Sequence, residues 1–326
     1  MSDVVIFGLG RIGARNVNLS KDVPLSHLAA VRMTPGLTLA GLIDPDPAAR
    51  AAAAALFPET PPDIIVGDAS ELPLRSGEVV AICTPMQTHE AVLATALKRS
   101  PRVVIVEKPL APNIGAARAM VDAAGAALRV NFHRRFDPRH RRWKERSPRK
   151  PHAIIGRYGK GFFNYGSHMI DLLVDWYGPV ETVCSIGDAT GDPGDPYVSF
   201  RCRMRAGFDA TILAVEGLGY DLFDLDILGQ DGCVEIRAGG AEMRWCEPRP
   251  GLYYKGYAHL SEIVPERETG PVAGFLELYQ AIADHMANDA PLLGCDGPAA
   301  LANMAVLESV LKSAAGGGIT INPDLL

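Results

Sequence analysis

Residues 3–13 read Asp3-Val4-Val5-Ile6-Phe7-Gly8-Leu9-Gly10-Arg11-Ile12-Gly13. An apolar run of strand length that stops at glycine reads as a strand buried on both faces of a parallel sheet. The glycines that follow have the spacing GxGxxG. Alone that spacing is a weak signal. After a buried strand and ahead of a helix it marks the phosphate-binding turn of a dinucleotide-binding βαβ unit. The first glycine permits the tight turn, and the second lets the backbone approach a pyrophosphate. The third lets helix and strand pack closely, with the helix N-terminus facing the negative charge.

The same rhythm continues outward. Residues 38–43 read as a second strand ending at Asp44, and the alanine-rich stretch 47–56 as a helix. Strands are expected at 78–83, 102–106 and 127–132, with helices at 88–99 and 113–126 between them. Strands alternating with helices give an α/β fold, an N-terminal Rossmann doubly wound parallel sheet. Residues 20–37, with Pro24 and Pro35, lengthen the first connection, as a longer helix and loop or as a small insertion. Past about residue 150 the period changes. Val198, Phe200, Cys202 and Met204 alternate with Ser199, Arg201, Arg203 and Arg205, which is strand periodicity with one apolar face. Residues 209–216, 222–228 and 233–237 continue as strands, the last two joined by a turn at Gly229-Gln230-Asp231-Gly232. Helices follow at 272–287 and 297–314. The expected division is 1–132 for the nucleotide domain and 133–326 for an α+β domain.

Composition narrows the function classes. The chain has 326 residues, 48% hydrophobic and 21% charged, as soluble enzymes do. A net charge of −6 argues against nucleic acid as a partner. No window approaches the roughly 18 apolar residues of a membrane helix, and the N-terminus lacks the basic start of a signal peptide. A cytoplasmic location is expected. The six cysteines show no CxxC spacing, so reduced thiols and no bound metal are expected.

Asp44, at the end of the second strand, is where an acidic residue bonds the adenosine ribose hydroxyls and repels a 2′-phosphate, which favours NAD over NADP. Arg11 and Arg50 keep NADP open. The competing reading of Asp44 is a helix cap before Pro45.

Three further stretches, taken with the glycine turn, resemble the glucose–fructose oxidoreductase/inositol dehydrogenase (Gfo/Idh/MocA) family. They are Ala81-Ile82-Cys83-Thr84-Pro85 with His89, Val106-Glu107-Lys108-Pro109, and Asn164-Tyr165-Gly166-Ser167-His168 with Asp171. The segment 312–322 is similar as well. The resemblance implies a Rossmann domain followed by a large, mostly antiparallel open sheet, NAD(P), and a dehydrogenase or reductase of CH–OH groups in a sugar, cyclitol or nucleotide sugar. It implies that Thr84 and Pro85 line the nicotinamide side and that Lys108 points at the reacting carbon–oxygen bond. It also implies a homodimer or homotetramer built on the second sheet. The family pattern has an aspartate where this chain has Asn164. An amide cannot relay a proton, so that task is expected to fall to His168.

The expected catalytic pair is therefore Lys108, stabilising charge on oxygen, and His168, exchanging a proton near neutral pH. Asn164, Asp171, Tyr158, Lys160 and Arg135 are expected to contact substrate. Gly8, Gly10, Arg11, Ile12, Gly13, Asp44, Thr84, Pro85, His89, Glu107 and Lys108 are expected around the cofactor. Asn164, His168 and Asp171 stand at i, i+4 and i+7 and are expected on one helix face. For each the competing reading is structural: a surface lysine, a helix cap, a solvated helix start. Two other functions stay open, a non-catalytic NAD(H)-binding regulator and an NAD-assisted glycoside-cleaving enzyme.

Overall fold

A computed structural model describes residues 1–16, 23–251, 253–270 and 274–325, with the backbone alone for 262–266 and 325. The chain forms two compact units, Met1–Asp137 with Ala273–Leu301, and Pro138–Val272 with Ala302–Leu326. The boundary thus falls after Asp137 rather than after 132, and a C-terminal segment returns to the first unit.

The first unit is built on β1 (Ser2–Phe7), α1 (His27–Met33), β2 (Leu37–Ile43), α2 (Pro47–Leu56), β3 (Ile65–Val66), β4 (Val79–Ile82), α3 (His89–Leu97), β5 (Val103–Val106), α4 (Ile114–Ala124) and β6 (Leu128–Val130). Its sheet has the order β3-β2-β1-β4-β5-β6, and every pairing is parallel. The order reverses beside β1, which places the crevice for a ligand outside the carboxyl ends of β1 and β4. β1, β4 and β5 are almost wholly buried, as their unbroken apolar runs require. Local chemistry fixes the helix starts. Asp46 accepts from Ala48 N–H (2.9 Å) ahead of Pro47, and Asn113 accepts from Ala116 N–H (2.9 Å).

The glycine turn departs from expectation. It opens into a π-type turn, Arg11–Arg15, and among the described residues the first regular helix is His27–Met33. Of the long connection at 20–37, residues 20–22 lie outside the described residues; the rest supplies α1, capped by Ser26.

The returning segment carries α7. The second unit carries α5 (Pro138–Arg146), β7 (Ala153–Tyr158), α6 (Ser167–Tyr177), β8 (Val180–Ser185), β9 (Phe200–Met204), β10 (Asp209–Ala214), β11 (Phe223–Leu228), β12 (Cys233–Arg237), β13 (Glu242–Pro250) and β14 (Ala258–Thr269); α7 (Phe275–Asn288) then follows in the returning segment, and α8 (Gly297–Ala315) begins there and ends in the second unit. Phe275, Leu278, Tyr279 and Ile282 of α7 are buried in one apolar cluster with Val4 and Ile6 of β1. Arg102 donates to the carbonyls of His285 (3.1 Å) and Met286 (3.3 Å), and Arg129 to that of Leu292 (2.9 Å). These bonds join the C-terminal end of α7 to the sheet. The helix was expected at 272–287; residues 272 and 273 lie outside the described residues.

The second unit holds a sheet of order β14-β13-β12-β11-β7-β10-β9-β8, antiparallel except for β7 beside β10. Phe200, Cys202 and Met204 are buried while Arg201 and Arg203 are exposed, as the alternation requires. The aspartates of β11 pair with neighbouring strands: Asp224 with Arg157 (3.1 Å) and Asp226 with Arg237, while Arg203 meets Asp209 (3.3 Å). Such surface pairs contribute about 0–1 kcal/mol each. All six cysteines are free thiols. Among the described residues no helix is long and apolar enough to cross a membrane.

Candidate active site

In the first unit the ends of adjacent strands bring three motifs together. β1 ends at the glycine turn, β4 beside it ends at Thr84, and β5 beside β4 ends at Glu107. Each glycine has its own reason. Gly8 has φ +91° and a Cβ there would lie 2.8 Å from the Cys83 carbonyl. A Cβ on Gly13 would lie 1.9 Å from the Gly8 carbonyl oxygen, so turn and strand could not pack. A Cβ on Gly10 would meet nothing within 4 Å. That space is where a bound group would approach the backbone. Asp44 Oδ2 accepts from Leu9 N–H (2.7 Å) and its Oδ1 from Asp46 N–H (2.9 Å). Each carboxylate oxygen keeps a lone pair for a ribose hydroxyl. Arg50 donates to the carbonyls of Asp44 (2.7 Å) and Pro45 (3.0 Å), which ties it to the backbone. Arg11 is exposed, and Ile12 is half-buried beside it.

Thr84 and Pro85 form the turn after β4, closed by Thr88 Oγ1 donating to the Pro85 carbonyl (2.7 Å). The Thr84 hydroxyl is buried without a hydrogen-bond partner among the described residues. An orphaned buried hydroxyl on the turn next to Gly8, together with the open space at Gly10, fits a nucleotide cofactor, which would supply the missing polar partner. His89 belongs behind this turn. It is buried, with Nδ1 3.0 Å from the Leu110 carbonyl and Nε2 2.9 Å from that of Thr84. It fixes the loops after β4 and β5 to each other rather than reaching a cofactor itself.

Glu107 also faces inward, against the expectation of cofactor contact. Its Oε1 accepts from His27 Nε2 (2.9 Å) and Asn131 Nδ2 (2.6 Å), and Oε2 lies 3.3 Å from the Lys108 backbone N–H. Burial alone would raise its pKa; the bond and charge of His27, the bond from Asn131 and the Lys108 charge outweigh burial and hold it below the ordinary carboxylate range. Lys108 itself is half-buried, and the Lys108–Pro109 bond is cis. His133 stacks on Phe275 (5.6 Å, 16°), and desolvation, then the Arg134 charge, push its pKa down to about 3. Arg135 sits in the same short turn of the first unit, 3.4 Å from the Gly294 carbonyl.

In the second unit Asn164 rides on a π-type turn, Gly161–Gly166, and regular α-helix begins at Ser167. The single-face spacing therefore describes His168 and Asp171, both buried, and not Asn164, which is half-buried. Ser167 Oγ closes the turn against the carbonyls of Phe163 (2.7 Å) and Asn164 (2.9 Å). Asp195 Oδ1 accepts from Phe163 N–H (2.6 Å), an approach that only a glycine at 161 permits. Asp171 accepts from Asn303 Nδ2 of α8 (2.6 Å), which makes it a helix-to-helix tie. Tyr158 is fully buried, its hydroxyl donating to Val198 O (2.8 Å) and accepting from Val198 N–H (3.1 Å). Burial pushes its ionisation up. This commitment to the core removes Tyr158 from the substrate contacts. Lys160 is exposed and bound to Asp221 (2.5 Å), with its ammonium 5.3 Å from the Tyr165 ring.

Comparison with known proteins agrees with this construction. Residues 2–132 match the oxidoreductase family with an NAD-binding Rossmann fold, Gfo/Idh/MocA. Inositol 2-dehydrogenase of Leifsonia xyli is 32% identical over 169 residues, 51% of this chain and 44% of that protein, so the match spans under half the relative's length. Two solved structures share the fold over nearly the whole chain. An oxidoreductase from Agrobacterium radiobacter, in complex with NAD+, L-tartaric acid and magnesium, has a TM-score of 0.74 at 18% identity over 99% of both chains. The WlbA dehydrogenase from Bordetella pertussis, with NADH and UDP-GlcNAcA, has a TM-score of 0.75 at 19% identity over 98% of this chain and 97% of that one.

Proposed function

We propose that the chain is an NAD(H)-dependent dehydrogenase or reductase acting at a secondary alcohol or ketone carbon of a sugar, cyclitol or nucleotide sugar. The reading rests on one observation above all: the glycine turn, the Thr84 turn and the Lys108 turn stand at the ends of three adjacent strands. Gly8, Gly10 and Gly13 would hold the pyrophosphate, Asp44 the ribose, and Thr84 and Pro85 the nicotinamide side. The cofactor, when bound, accepts or gives the hydride. Lys108 stabilises negative charge on the reacting oxygen. His168 takes or returns the proton, while Asn164 orients groups through its amide. Lys160 remains a substrate contact and Arg135 a weaker one.

The test is NADH formation from myo-inositol and from UDP-N-acetylglucosamine derivatives, followed at the nicotinamide absorbance. Turnover with any of them supports the reading. NAD binding without turnover across the panel favours the regulator, the alternative that Asn164 motivates. Cleavage of a glycoside without net NADH favours the glycoside-cleaving alternative.

Asp44 further predicts NAD over NADP, because its carboxylate repels a 2′-phosphate. Asp44→Ser with Pro45→Arg should shift preference towards NADP, and equal affinities in the parent would sink the assignment. Assembly as a homodimer or homotetramer through the outer face of the second sheet belongs to the same reading. A monomer in sedimentation at micromolar concentration would remove it.

A further inference from the structure

Behind Lys108 lies a polar cluster that the reaction above does not use. Tyr279 of α7, His27 of α1, Glu107 at the end of β5 and Asn131 after β6 are all buried. They form one connected chain. Tyr279 Oη lies 2.7 Å from His27 Nδ1, His27 Nε2 lies 2.9 Å from Glu107 Oε1, and Asn131 Nδ2 lies 2.6 Å from the same oxygen. A carboxylate only accepts, so His27 Nε2 carries the proton on that side and Nδ1 faces the tyrosine hydroxyl. Phe275 packs edge-on against the His27 ring (5.0 Å), fixing its plane.

Such a cluster is costly unless it does something. A buried carboxylate loses its hydration and is retained where several donors satisfy it. Here two side-chain donors converge on Oε1, while Oε2 is turned to the backbone N–H of the next residue, Lys108. That oxygen is thus held against the lysine backbone, and the Lys108 charge acts on Glu107. We infer that Glu107 is a positioning residue for Lys108: a buried counter-charge, kept ionised by His27 and Asn131 with Tyr279 behind them, that anchors the lysine backbone and maintains its side chain as an ammonium. Lys108 then acts as a cationic donor to the reacting oxygen and not as the proton acceptor, which leaves that task to His168. This division rests on the functional reading of Lys108, but the counter-charge itself is testable without any substrate.

Glu107 shares the cluster with His27 and lies beside Lys108, and the charges of both lower its pKa. Cys83 at the end of β4 and Tyr279 of α7 are held neutral by burial, both with ionisation pushed well up. His133 is neutral above about pH 3. Arg134 and Asp137, in the turn after β6, bring opposite charges that act on His133 from the same loop. His27 bonds Glu107 directly.

The experiment is competitive acylation of the folded chain with sulfo-N-hydroxysuccinimide acetate across pH 6 to 11, reading the Lys108 peptide against the exposed Lys150 by mass spectrometry. In the parent, Lys108 should lose its proton no earlier than Lys150. In Glu107→Gln its labelling midpoint should move to lower pH, with about fivefold or more labelling at pH 8 relative to the parent. Glu107→Asp, which keeps the charge, should restore most of the parental midpoint. A loosened structure alone would raise labelling by one factor at every pH and leave the midpoint in place. An unmoved midpoint in Glu107→Gln overturns the inference. If that variant fails to fold, the parent decides: Lys108 titrating clearly below Lys150 overturns it as well. A midpoint shift with a fully active Lys108→Ala would instead leave the counter-charge standing and remove Lys108 from the chemistry.

Discussion

Two carboxylates, one in each unit, invite comparison. Glu107 precedes Lys108, and Asp171 stands three positions after His168. From sequence both look like groups that touch a ligand. Both are buried, and each accepts a 2.6 Å bond from an asparagine amide far along the chain, Asn131 for Glu107 and Asn303 for Asp171. They differ in what else surrounds them. Glu107 is wired to His27 and Tyr279 and lies against the lysine backbone, so its charge is felt at Lys108. Asp171 ties α6 to α8 and so fixes the helix on which His168 rides. The first arrangement tunes a charge and the second fixes a frame. Each motif carboxylate is bonded to its own chain on the side where an asparagine amide meets it.

The largest effects should fall on those neighbours. Lys108→Ala is expected to lower turnover by about 10³-fold or more, since it removes charge stabilisation at the reacting oxygen. His168→Ala should cost roughly 10²-fold, the usual scale of general acid–base help. NAD affinity, by titration, should stay near the parental value in both. If His168→Ala turns over like the parent, the proton relay lies elsewhere and the frame built by Asp171 serves another purpose. Asn164→Asp should be tolerated or raise activity.

The glycines break the comparison differently, because two of them make opposite demands. Gly13→Ala puts a Cβ 1.9 Å from the Gly8 carbonyl oxygen and should cost stability of order 1–3 kcal/mol, read as a lower Tm. Gly10→Ala meets nothing within 4 Å of its own chain, so Tm should hold while NAD affinity falls about tenfold or more. A Gly10→Ala variant that binds NAD normally would mean the space at Gly10 is not the pyrophosphate approach.

Tyr158→Phe separates ligand contact from packing in the second unit. The hydroxyl bridges both polar groups of Val198, so its loss should cost about 1–3 kcal/mol and leave KM unchanged. A raised KM at parental stability would return Tyr158 to the substrate site.

These residues also show which parts of the molecule were legible. Five of the six described strands of the parallel sheet were readable because a buried parallel strand is an apolar run, and α2 because 47–56 is rich in alanine; β3, only two residues long, offers no such run. The partners of Glu107 were not readable either. His27 and Tyr279 are 252 residues apart, and helical periodicity tells which face of α7 is buried without telling what covers it. The π turn at 161–166 was hidden for a related reason: Asn164 to Asp171 has α-helical spacing, and nothing local reveals that Asp195 grips the backbone of Phe163 from a distant loop.

The smallest predicted effect sharpens the comparison on the side of Glu107, where ionisable groups cluster. His133 keeps its neutral form down to about pH 3, against an ordinary value of 6.5. Between those limits protons bind the unfolded chain more readily than the folded one, so they favour unfolding. The His133 contribution is complete above about pH 6.5 and is lost as pH falls towards 3. Glu107 acts in the same direction but lower: with its folded value below the ordinary 4.5, its contribution is full above that and lost only as pH drops further. The window from pH 7 to 5 therefore reads His133 without Glu107. His133→Phe keeps a ring on Phe275 and removes the titration. Its stability should fall less steeply from pH 7 to 5, by on the order of 1–2 kcal/mol relative to the parent. The measurement is chemical denaturation at each pH, with the difference in slope as the readout, because any lost packing shifts every point equally. Equal slopes in parent and variant would mean that His133 takes up its proton in the folded chain, and that desolvation beside Arg134 does not hold it neutral.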